Sequence, residues 1–148
     1  MHWERFMASS EPAGKVRHIN TDVISRIARF SDGVVIEGTV RTLRTSGIPG
    51  FRRDGTLPSD FGEQANCAWE NIAGILAAAG MSVANIVSVT HYLVRREDLP
   101  LYRRICEEQL GACRPTSMLL FAAGLPWPEM LVELQVEAVD EKTGPQQA

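Results

Sequence analysis

The chain has 148 residues, enough for one domain with its own apolar core, and its 45% hydrophobic and 22% charged residues are in the balance of a water-soluble globular protein. A net charge of -3 argues against a partner held through its phosphates, so no nucleic-acid partner is expected. No run approaches the ~20 apolar residues of a membrane span, and the start, Met1 to Met7, lacks the apolar stretch of a secretory signal; no membrane partner and a cytoplasmic location are expected.

Residues 1–14 and 142–148 are polar and carry Pro and Gly, which predicts flexible tails around a single domain at 15–141. Val16 to Asn20 is a short strand candidate. Arg26 to Phe30 and Val34 to Val40 flank Ser31-Asp32-Gly33, a hairpin signal because Asp and Gly tolerate the positive φ of a tight turn. The stretch 41–58, rich in Arg, Thr, Gly and Pro, is predicted to be a long loop, of the kind that serves as a lid or stays unstructured.

A helix opens at Asp60, whose carboxylate can take the amide of Glu63 while Glu63 reaches back. Ala65, Ala68, Trp69, Ile72, Ile75, Leu76 and Ala79 form one apolar stripe, and Gly80 ends it. Ile86 to Val94 is β-branched and reads as a central strand. Asp98, Pro100 and the stripe Tyr102, Ile105, Cys106 and Gln109 predict a second helix closed by Gly111. Arg114 to Phe121 is apolar on both faces. After a break at Gly124 to Pro128, the run from Leu131 alternates, with Val132, Leu134, Val136 and Ala138 against Glu133, Gln135 and Glu137.

This order, β-β-β-α-β-α-β-β, predicts an α+β domain. Two helices cannot cover both faces of such a sheet, and Met118 and Leu120, opposite Leu119 and Phe121, leave a face for self-association. A pocket is expected beside the polar row of the last strand. Cys67, Cys106 and Cys113 are odd in number and lack metal-ligand spacing; they read as buried free thiols, in keeping with a reducing cytoplasm. No metal and no cofactor are expected.

The sequence resembles the Rid family (reactive intermediate deaminase, also called YjgF or L-PSP endoribonuclease) from about Ile24 to Val139. The matching residues are Val34-Val-Ile-Glu-Gly38, Gln64-Ala65, Asn71-Ile72, Ala78-Ala79-Gly80, Ile86-Val87, Val94, Asp98-Leu99, Arg114-Pro115, Leu125-Pro126 and Leu131 to Ala138. The resemblance implies a chorismate-mutase-like fold, a mixed sheet with two helices packed on one face. It also implies a homotrimer with small-molecule ligands in clefts between subunits. Deaminating members of the family carry an arginine two residues after the proline matching Pro115, where this chain has Ser117. Their cleft cysteine corresponds to Leu119, a glutamate of the last strand to Gln135, and an asparagine of the second helix to Arg103. The backbone feature at Gly38 is retained. The resemblance thus implies ligand binding by Gly38, Arg103, Ser117, Leu119 and Gln135, with Gln135, Glu137 and Ser117 as the candidate catalytic residues.

Hydrolysing a 2-imino or 2-enamino acid needs a cation for the substrate carboxylate and a positioned water with a proton carrier. Ser117 cannot replace a guanidinium; Arg103 is the first candidate for that role, followed by Arg41 and Arg44. Gln135 can orient water but cannot take a proton, which leaves Glu133 or Glu137 as base. A nucleophilic Ser117 has no visible His–Asp partners, since His91 reads as a core histidine and His18 as part of the first hairpin. Trp127 reads equally as a cleft wall or a cover for the sheet end. Three functions remain open: a divergent imine or enamine deaminase, a trimer that binds a small carboxylate or aromatic molecule without chemistry, and, least favoured, a ribonuclease.

Overall fold

The computed structural model describes residues 12–141. The elements are β1 (Lys15–Ile19), β2 (Gly33–Glu37), β3 (Val40–Arg44), β4 (Ile48–Pro49), α1 (Phe61–Ala78), β5 (Ile86–Leu93), α2 (Leu99–Leu110), β6 (Thr116–Phe121) and β7 (Val132–Glu141). The main sheet runs β3-β7-β5-β6, with β4 also paired to β7. Only the β5–β6 pairing in it is parallel, bridged by α2 in a β-α-β unit. The sheet is mixed, and both helices pack on one face: an α+β domain, as expected.

The helix-facing side is apolar because strand side chains alternate. Val89 and Leu93 of β5 and Val132, Leu134, Val136 and Ala138 of β7 meet Ala65, Ala68, Trp69, Ile72 and Leu76 of α1. Asp60 caps α1 by accepting the Glu63 amide at 3.0 Å, but Glu63 does not reach back; its carboxylate pairs with Arg52 at 3.0 Å. On the opposite side of the sheet no helix is present among the described residues, and Met118 and Leu120 are 59% and 43% exposed.

Two expectations need correction. Arg26 to Phe30 is a turn, not a strand, and β2 pairs with β1 instead. The Ile27 and Ala28 amides donate to the Ile24 carbonyl at 3.0 and 2.9 Å and close the turn, and Asp32 holds the residues before it, its carboxylate accepting from the amides of Thr21, Val23, Ile24 and Ser25 and from the Ser25 hydroxyl. The stretch 41–58 is not all loop, since β3 and β4 lie on β7 with the polar side chains of an edge and Pro49 in the short β4. Residues 12–14 of the expected N-terminal tail are pinned, with Ala13 bridged to Thr39; the rest of that tail and 142–148 lie outside the described residues.

Candidate functional site

A cavity of about 620 Å³ lies between α2, β6 and the turn at 24–30, a size common for small-molecule sites. Leu119, Ser117 and His91 form its floor, Tyr102, Cys106 and Leu110 of α2 one wall, and Ile24, Ile27 and Phe30 the other. Arg29, Arg103, Arg114 and Glu107 also line it. Arg114 is tied to the carbonyls of Gly111 and Cys113, whereas Arg29 and Arg103 make no ion pair with a described residue. A second, more open hollow of about 780 Å³, beside His18, Asn85 and Glu141, holds none of the expected site residues.

The floor contains a hydrogen-bonded series that the sequence reading missed. His91 Nε2 is 3.0 Å from Ser117 Oγ, and His91 Nδ1 is 2.6 Å from the Tyr102 hydroxyl. Parallel pairing sets Val89 opposite Ser117 and His91 opposite Leu119, so His91 and Ser117 are diagonal neighbours on one face. Tyr102 and Cys106, one turn apart on α2, pack over the imidazole. Recognising β5-α2-β6 as a parallel unit would have exposed this pairing from the sequence.

His91 is 1% exposed, and burial pushes its pKa down from 6.5 to about 4. Burial, joined by Cys106, holds the Tyr102 phenol well above its ordinary range. Burial also pushes the Cys106 thiol up to about 12, so it is no thiolate nucleophile near neutral pH. The series is uncharged at neutral pH. Trp69 packs beside His91, with ring centroids 6.4 Å apart, and its buried indole N–H finds no partner of ordinary hydrogen-bond geometry among the described residues.

The wall at 24–30 is held at both ends. Ser31 donates its hydroxyl to the Arg114 carbonyl and its amide to the Pro115 carbonyl, fastening the turn to the start of β6. Burial alone would raise the pKa of Asp32, but the hydrogen bonds from Ser25, Thr21 and Ile24 prevail and hold it well below the usual carboxylate range.

Of the residues named from the sequence, Ser117, Leu119 and Arg103 come together in the cavity. Gln135 and Glu137 lie on the opposite face of the sheet, away from it: Gln135 donates to the Thr45 carbonyl at 3.0 Å, and Glu137 pairs with Arg44 at 3.2 Å. The cavity therefore forms on the helix side, not beside the polar row where it was expected. Gly38 sits between β2 and β3 at φ +77°, and a side chain there would meet the Ala13 carbonyl, so its glycine serves the backbone. Arg41 is paired with Asp140 at 2.7 Å and lies outside the cavity, as does Arg44. Trp127 packs edge-on against Phe51, with centroids 5.0 Å apart, and is not among the residues lining the cavity.

The family model described as Endoribonuclease L-PSP matches residues 21–140. Over 100 residues, 64% of this chain and 74% of the relative, the chain is 33% identical to "Putative reactive intermediate deaminase TdcF" of Escherichia coli (strain K12). It is 32% identical over 105 residues to a RutC family protein of Pasteurella multocida, covering 68% of this chain and 79% of that one. Among solved structures, the Rid family protein YyfB of Yersinia pestis, itself titled as of unknown function, superposes with a TM-score of 0.72 at 26% identity. That match covers 83% of this chain and 97% of the other. This chain belongs to the Endoribonuclease L-PSP family, the Rid or YjgF family of reactive intermediate deaminases.

Proposed function

We propose that the chain hydrolyses a small imine or enamine in the cavity under the 24–30 turn, completed by a neighbouring copy in a homotrimer. The observation that carries this reading is the gathering of Ser117, Leu119 and Arg103, from β6 and α2, around one largely apolar cavity of small-molecule size. The name of the Escherichia coli relative supports the reaction class. Three unpaired cysteines support a cytoplasmic setting.

In this reading Arg103 takes the substrate carboxylate from the rim, a role that a guanidinium performs by two-point hydrogen bonding. An enamine first takes a proton at its β-carbon and becomes the imine; water then adds to the sp² carbon, the C=N electron pair moves to nitrogen and is protonated, and the C–N bond breaks as the added hydroxyl gives up its proton, releasing ammonia and leaving a carbonyl. Gln135 and Glu137 reach the substrate only from a second copy, whose open sheet face presents them as water-orienting group and base. Such acid–base assistance contributes ~10²–10⁴-fold. Arginine is absent at Ser117, so carboxylate affinity is about ten- to a hundredfold weaker than in deaminating relatives that have it.

Ammonia release from enzymatically generated 2-iminobutanoate or 2-aminoacrylate tests the proposal. It is expected to accelerate with protein and to lose most of that acceleration on Arg103→Ala; no acceleration at micromolar protein refutes it. The floor, where Ser117 is bonded to the neutral His91 and through it to Tyr102, favours a second reading, in which the cavity binds a small carboxylate or aromatic molecule without chemistry. Thermal stabilisation by small acids without turnover would select that reading.

A further inference from the structure

We infer that Tyr102 and His91 lock Ser117 as a hydrogen-bond donor pointing into the cavity, so that the floor recognises a carbonyl oxygen or imine nitrogen and Ser117 is not a nucleophile. This rests on the proposal that the cavity is the ligand site.

The proton inventory decides the direction of the series. A neutral imidazole has one N–H and one lone pair, and two hydroxyls compete for that lone pair: Ser117 at 3.0 Å from Nε2 and Tyr102 at 2.6 Å from Nδ1. A phenol is a far stronger acid than an aliphatic alcohol and makes the stronger hydrogen bond to nitrogen. The two also differ in what they lose. Tyr102 is 1% exposed, and the alternative acceptor beside it, Cys106 Sγ, is a weak one. Ser117 is only partly buried and faces the cavity, where water or a ligand can accept its proton.

Tyr102 therefore donates to Nδ1, Nε2–H donates to Ser117 Oγ, and the Ser117 O–H is turned outward. In the reverse order Ser117 would donate to Nε2, as an acyl-transfer serine does, and the Tyr102 proton would be left with only the weak acceptor Cys106 Sγ. The uncharged partner in the Asp position of such a triad also gives no support to an imidazolium. An outward donor ringed by Ile27, Phe30 and Leu119 suits a ligand with an acceptor at one end of an apolar body. In the proposed hydrolysis it polarises the carbon–nitrogen bond through nitrogen before water adds. His91 and Tyr102 act through Ser117 and are positioning residues.

Long-range proton–nitrogen correlation spectra of the full chain, with His91 assigned through His91→Gln, read the tautomer directly. The proton is expected on Nε2 at neutral pH; a proton on Nδ1 overturns the inference. Recognition is read from binding of 2-oxohexanoate against hexanoate, which differ only in the acceptor. The wild type is expected to prefer the oxo acid, Ser117→Ala to lose about two- to tenfold of that preference, and Ser117→Thr to keep it. No preference in the wild type, binding of neither acid, or an unchanged preference in Ser117→Ala overturns it. Failure of ammonia release alongside a retained oxo-acid preference removes the deaminase reading and leaves this inference standing.

Discussion

His91 is the residue on which chemistry and stability meet. Its pKa is about 4 in the folded chain and 6.5 when exposed, so the unfolded state takes up the proton first as pH falls. The stability it contributes is complete above pH 6.5 and is lost between there and pH 4, amounting to roughly 3 kcal/mol. Asp32, whose pKa is depressed, acts lower: its contribution is present above the ordinary carboxylate value of 3.8 and fades only below it. Denaturant titrations at pH 7, 5.5 and 4 should therefore show a steep loss in the wild type and a flatter one in His91→Gln. Equal slopes would contradict the buried neutral histidine. Sequence alone placed His91 correctly in a core strand but could not show its neighbours, because its partners come from β6 and α2 and meet it only once the parallel pairing is known.

At the scale of elements, one buried side chain ties two loops to a helix. Gln64 is 1% exposed; its amide donates to the carbonyls of Pro58 and Glu129 at 2.8 and 2.9 Å and accepts from the Leu131 amide at 2.9 Å. It fastens the segments on either side of the Phe51–Trp127 contact to α1. Gln64→Leu keeps the bulk but strands these backbone groups, and should cost about 1–3 kcal/mol, seen as a lower denaturant midpoint at unchanged slope. A midpoint within error of wild type would remove that role. The apolar stripes of α1 and α2 and the alternation of β7 were legible because burial follows side-chain period. The 26–30 turn was not, since its apolar Ile27, Ala28 and Phe30 beside Ser31-Asp32-Gly33 read as a hairpin strand, while the turn closes on the Ile24 carbonyl, in a segment that the Asp32 carboxylate holds. That turn is the cavity wall, so misreading it also hid where the cavity lies.

For the whole molecule, the open sheet face and the cavity belong to one question. Met118 and Leu120 are exposed on the face that also bears Thr90 and Gln135, while Ser117 and Leu119 turn to the other side. A single copy thus splits the residues expected to cooperate, and only a second copy can place Gln135 and Glu137 across from Ser117. An apolar face left uncovered by the helices was legible from the two-sided apolar pattern of β6; which side held the cavity was not, because alternation alone does not say which face meets the helices. A crystal structure of the assembled protein with 2-oxobutanoate, the product of 2-iminobutanoate hydrolysis, tests the whole account most directly. We expect the oxo acid in the cavity within hydrogen-bonding reach of Ser117, with Gln135 of another copy closing the mouth. A ligand bound elsewhere, or copies that leave Gln135 far from every cavity, would contradict it.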